Sequence, residues 1–97
     1  MDRKKQIISW LKDILDKNLS GISFRAFIFG SQANRAVLSR SDIDVGIIAE
    51  SKISLQQLAK IYADIEALPM LYKIDLVNFN EVDEQFKSVA LKNIESL

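Results

Sequence analysis

Arg25-Ala26-Phe27-Ile28-Phe29-Gly30-Ser31, then ten residues, then Asp42-Ile43-Asp44-Val45-Gly46-Ile47-Ile48: this stretch decides the fold. Both runs are apolar enough to be strands, and the glycine between them marks a turn. Side chains alternate along a strand, so Asp42 and Asp44 point the same way. Two carboxylates side by side repel each other, and a cation between them relieves the repulsion. Gly30 lets the backbone approach an anion closely, while Ser31 adds a hydroxyl beside the amides that open the following turn. A phosphate-gripping turn feeding a strand with paired acids is the arrangement that metal-dependent nucleotidyl transfer needs.

Working outward, Ile7, Trp10, Leu11, Ile14, Leu15 and Leu19 recur at helical steps, so the chain opens with an amphipathic helix ending near Gly21. Trp10 belongs to that core-facing stripe. The start of the segment from Ser31 to Arg40 has the polar character of a single helical turn, and the second strand closes near Glu50. Ser54-Leu55-Gln56-Gln57 has the form of a capping box. Leu55, Leu58, Ile61, Tyr62, Ile65 and Leu68 form the apolar face of the helix behind it, which Pro69 ends. A third strand spans Lys73 to Phe79, after which Asn80 is expected to cap a last helix. That helix carries Glu81, Asp83 and Glu84 in its first turn and Val82, Phe86, Val89 and Ile94 as its buried stripe. The expected architecture is α/β (α+β), a three-stranded sheet covered by helices in the order α-β-(turn)-β-α-β-α.

Asp75 is the third informative carboxylate. It sits in an apolar strand, where an ionised side chain is costly to bury unless a cation or donor meets it. If this strand lies beside the second, Asp75 faces the same cavity as Asp42 and Asp44, and three carboxylates from neighbouring strands suffice for two divalent ions. Arg35 and Arg40 are weaker candidates for steering a triphosphate and read more simply as solvated loop charges. Tyr62 and Tyr72 read as packing residues, and Glu81, Asp83 and Glu84 need only the helix dipole to explain them.

Composition narrows the chemistry. The 97 residues suit one domain, 1–97, with one core and little wall left for an elaborate pocket. Thirteen basic and thirteen acidic side chains cancel, so no global field draws the chain to nucleic acid, and no direct nucleic-acid partner is expected. Without cysteine or histidine there is no thiol nucleophile, no Cys/His zinc site and no Ser-His-Asp triad. No run approaches a membrane span or signal peptide, and a cytoplasmic location is the default expectation.

Gly30-Ser31, Asp42-Ile43-Asp44 and Asp75 within Lys73-Ile74-Asp75-Leu76-Val77 resemble the minimal nucleotidyltransferase (MNT) antitoxin family of the DNA polymerase beta superfamily. The resemblance spans nearly the whole chain and implies a nucleotidyltransferase fold. It implies that Gly30 and Ser31 bind nucleotide phosphates, that Asp42 and Asp44 bind two Mg²⁺ ions, and that Asp75 completes the catalytic ion and orients the acceptor hydroxyl. Family members are often paired with a helical HEPN toxin. Resemblance therefore implies a type VII antitoxin that transfers AMP from ATP to a tyrosine of such a partner, within a hetero-oligomer. One departure is visible: where many relatives carry a glycine, this chain has Arg35, and Asn34 is the residue able to take up the left-handed conformation instead. Two other functions fit the same residues: nucleotidylation of a small molecule with a helical partner subunit, and non-catalytic inhibition of a partner by occlusion.

Overall fold

The computed structural model describes residues 3–35, 42–70 and 72–97. Helix α1 (Arg3–Asn18) leads into strand β1 (Phe24–Phe29), a single 3-10 turn (Gly30–Gln32), strand β2 (Asp42–Ala49), helix α2 (Leu55–Glu66), strand β3 (Lys73–Asn78), helix α3 (Glu84–Ala90) and strand β4 (Ile94–Ser96). The sheet order is β3-β2-β1-β4. β1 runs antiparallel to both β2 and β4, whereas β2 and β3 are parallel. Parallel neighbours need a crossover, and α2 supplies it.

Strand alternation divides the core into two. Ile28 of β1, Ile43, Val45 and Ile47 of β2 and Ile74 and Leu76 of β3 meet Ile7, Leu11, Ile14 and Leu15 of α1 and Ile61 and Ile65 of α2. This aliphatic layer is the larger core. On the opposite face Phe27, Phe29 and Phe79 form an aromatic cluster, with Val77, Val82, Ala90, Leu91 and Ile94 packed around it. Ring centroids lie 5.0 Å apart for Phe27–Phe79 and 5.1 Å for Phe29–Phe79, both near perpendicular, which brings ring edges onto ring faces. Gly46 lets those rings reach the strand: a Cβ there would stand 2.6 Å from atoms of both Phe27 and Phe79.

Local signals account for much of this. Ser54 and Gln57 complete the capping box: the Ser54 hydroxyl accepts from the Gln57 amide at 3.0 Å, and Gln57 Oε1 accepts from the Ser54 amide at 2.9 Å. Trp10 packs against the aliphatic core, and so does Tyr72. Tyr62, partly exposed, donates its hydroxyl to the Leu76 carbonyl at 2.8 Å and so ties α2 to β3.

Three expectations are corrected. The sheet has four strands, not three, because residues 94–96 pair with β1 and so take Ile94 out of the last helix. Asp83 rather than Asn80 caps α3, its carboxylate accepting from the Phe86 amide at 2.7 Å. Asn80 is engaged elsewhere: its amide accepts from the Ala49 N–H at 3.0 Å and donates to the Ala49 carbonyl at 2.8 Å, a bridge that finishes β2. Finally, Leu55 of α2 is 84 % exposed, and in α3 Val89 is 62 % and Phe86 42 % exposed, so these members of the expected buried stripes face solvent. No helix among the described residues is long and apolar enough to cross a membrane.

Candidate active site

The sheet register assembles the acidic residues. Asp44 of β2 lies opposite Asp75 of β3 on one side and opposite Phe29 of β1 on the other, and Asp42 lies opposite Lys73. Paired residues share a face, and Ile43, Val45, Ile74 and Leu76 occupy the α1/α2 side, so Asp42, Asp44 and Asp75 all project from the aromatic side. The rows follow in order along that face: Phe27, Gly46 and Val77; then Phe29, Asp44 and Asp75; then Asp42 and Lys73. Half of the face is dry and aromatic, and the other half is acidic.

Gly30 meets this row at the end of β1. Its φ of 77° is left-handed, and a Cβ in its place would fall 2.7 Å from Asp44 Oδ2, so glycine is required on two counts. The turn closes through the Ala33 amide, which donates to the Gly30 carbonyl at 3.2 Å. Gly30 and Ser31 are exposed and Gln32 is buried, so the beginning of the turn is open to solvent while its end is anchored.

Electrostatics single out Asp44. Its carboxyl is held above the ordinary Asp range, first by burial and then by the charges of Asp75 and Asp42. Asp42 is exposed and the Asp75 side chain is 45 % exposed, so both remain open to a ligand. Among the described residues no three acidic side chains are gathered tightly enough to grip an ion as they stand. Their backbones are nonetheless neighbours: parallel partners such as Asp44 and Asp75 lie roughly 4.8 Å apart across the strands. The three carboxylates offer only hard oxygen donors and already repel one another, which fits Mg²⁺, and the Gly30 cradle leaves room beside Asp44.

Arg35 is exposed, as a solvated loop charge is expected to be. Arg35 turns back on its own loop, its Nε donating to the Ser31 carbonyl at 2.7 Å. Arg40 lies outside the described residues. Asn34 does adopt the left-handed conformation, with φ of 63°, in place of a loop glycine. Lys73 was not anticipated. Its ammonium stands 3.8 Å from Asp75 Oδ1 on the acidic face, and the two-residue step from Lys73 to Asp75 was the available signal.

Comparison with known proteins agrees with this geometry. Residues 9–97 match the family described as polymerase beta, nucleotidyltransferase. No curated protein matches the chain. A crystal structure from Shewanella oneidensis is 19 % identical with a TM-score of 0.71, covering 96 % of this chain and 70 % of that one. A mutant of the toxin–antitoxin MntA–HpeT is 18 % identical with a TM-score of 0.64, over 98 % of this chain and 70 % of that one. A structure of tri-AMPylated Shewanella oneidensis HEPN toxin in complex with MNT antitoxin is 14 % identical with a TM-score of 0.64, over 95 % and 69 %. At these identities the likeness is one of fold. With the match across residues 9–97 and the acidic row facing a glycine turn, the chain belongs to the polymerase beta nucleotidyltransferase family.

Proposed function

We propose that the chain is a Mg²⁺-dependent protein adenylyltransferase that moves AMP from ATP to a hydroxyl, a tyrosine of a HEPN-type partner, and so acts as an antitoxin. The observation that carries this reading is the register that sets Asp44 beside Asp75 and against the Gly30 turn. Similar solved structures include an AMPylated HEPN toxin with its MNT antitoxin, which supports the choice of acceptor.

In the proposed reaction the amides and hydroxyl of Gly30-Ser31 hold the triphosphate tail, fixing the α-phosphorus in front of the acidic row. Asp42 and Asp44 would hold two Mg²⁺ ions, with Asp75 sharing one of them. Bound there, the ions would supply charge stabilisation for both the entering and the departing oxygen. Asp75 orients the acceptor hydroxyl and takes up its proton. A bond forms between the acceptor oxygen and the α-phosphorus, the bond from that phosphorus to the bridging oxygen of the β-phosphate breaks, and pyrophosphate leaves with the electron pair.

The test is incubation with α-labelled ATP, Mg²⁺ and the neighbouring-gene product. Label on a partner tyrosine, lost in an Asp42→Ala/Asp44→Ala double variant, is the expected result. Undiminished inhibition of the partner by that double variant, without label, would replace catalysis with occlusion. Label on a small molecule instead would change the acceptor class.

A further inference from the structure

Behind the nucleotide turn, on the α1/α2 side of the sheet, lies a charged cluster that plays no part in the proposed chemistry. Glu95 is the cross-strand partner of Ile28, and its side chain therefore points away from the acidic row. Its Oε1 accepts from two directions: from the buried Lys4 ammonium at 2.7 Å, and from the backbone amide of Asn34 at 2.6 Å. Lys4 also donates to the Arg35 carbonyl. Asn34 completes the attachment through its own amide, which donates to Asn93 Oδ1 at 2.8 Å and to the Ile94 carbonyl at 3.2 Å.

We infer that Lys4, Glu95 and Asn34 form a lock that fixes the shape of the Gly30–Gln32 turn from behind and thereby sets its affinity for the nucleotide phosphates. The turn is a single 3-10 turn, too short to hold its own geometry, and two residues beyond it the chain reverses through Asn34 at φ of 63°. Charge-assisted bonds to the Asn34 amide and the Arg35 carbonyl hold it at its far end. A buried lysine and a glutamate from opposite ends of the sequence are an expensive way to fasten an ordinary loop, and a loop whose amides must be aimed at an anion is where such rigidity has a use. Lys4 and Glu95 are positioning residues: they act on the nucleotide only through the turn.

This inference rests on the turn being the phosphate site, and the experiment separates the two. Amide hydrogen exchange at Ser31–Asn34, ATP affinity with Mg²⁺, steady-state kinetics and melting temperature are measured together. Glu95→Ala should speed exchange and raise both Kd and KM for ATP about tenfold, with kcat preserved at saturation. Glu95→Gln keeps an oxygen for the Asn34 amide and should retain most of the affinity. Exchanging the charges, Lys4→Glu with Glu95→Lys, should recover melting temperature but not affinity, because a lysine at 95 accepts nothing from Asn34. Should Glu95→Ala fail to fold, Asn34→Ala decides, since alanine resists the left-handed turn while the Lys4–Glu95 pair stays intact. Affinity and exchange unchanged in Glu95→Ala or Asn34→Ala, or affinity restored by the charge exchange, would overturn the lock alone. A wild-type chain that binds no ATP would overturn the phosphate site and the lock with it.

Discussion

Asp64 and Asp44 are both partly shielded aspartates, and their surroundings are opposite. Asp64, on α2, accepts from Lys60 at 2.7 Å and Asn18 at 2.9 Å and lies 3.1 Å from Lys17, and these donors hold its carboxyl below the ordinary range. Asp44 faces Asp75 and Asp42, and burial with those like charges holds it above the range. On the helix-covered side, charge is neutralised by the chain itself. On the acidic side the described residues supply only Lys73, 3.8 Å from Asp75, and in the proposed reading a bound cation would supply the rest.

Substituting Asp44 attacks the contrast most directly. Asp44→Asn should lower AMP transfer at least about a hundredfold, because metal affinity and charge stabilisation fall together. The same variant should be more stable than wild type at neutral pH in the absence of divalent ions. A raised folded-state pKa means the folded chain binds the proton more tightly than the unfolded one, so wild-type stability declines as pH rises through the window above the ordinary Asp value. Thermal melts with EDTA across that window, compared with activity assays, check both halves. Equal stability of wild type and variant would show that Asp44 is not strained by its neighbours.

Next in size is the dry half of the acidic face. Gly46→Ala puts a methyl group 2.6 Å from atoms of Phe27 and Phe79 and should destabilise the chain by about 1–3 kcal/mol, read by urea denaturation, with transfer per folded molecule retained. Gly30→Ala makes the complementary break. Its left-handed φ alone should cost about 1–2 kcal/mol, and a methyl group 2.7 Å from Asp44 Oδ2 should weaken ATP binding in a titration as well, so this variant alone of the two loses function beyond its loss of stability.

The smallest effect should come from the scaffold carboxylate. Because the Asp64 pKa is depressed in the folded chain, its stabilising contribution is complete above the ordinary Asp range and is lost as pH falls through the folded value. Asp64→Asn should therefore flatten the acid limb of the melting curve and leave transfer at neutral pH unchanged.

Much of this division was legible in the sequence. Apolar runs identified β1, β2 and β3, strand alternation put Asp42 and Asp44 on one face, and Ser54 and Gln57 announced the start of α2. Asn34 was readable as the residue to take the left-handed turn. What local patterning missed depends on partners far along the chain. β4 is a three-residue strand visible only through its pairing with β1, and helical spacing had claimed Ile94. Asn80 and Asp83 are both good helix caps, and the choice between them is made by Ala49, 31 residues before Asn80. Lys4 and Glu95 are 91 residues apart, and neither has a local pattern that announces the other.

The order of the strands along the chain has a consequence during synthesis. A ribosome releases β2, with Asp42 and Asp44, before it has translated β3, with Asp75, and Glu95 follows Asn34 by 61 residues. A nascent polypeptide halted before residue 75 lacks part of the acidic row, and one halted before residue 95 still lacks the acceptor for the Asn34 amide, so the proposed lock would close only after the segment carrying Glu95 has emerged from the exit tunnel.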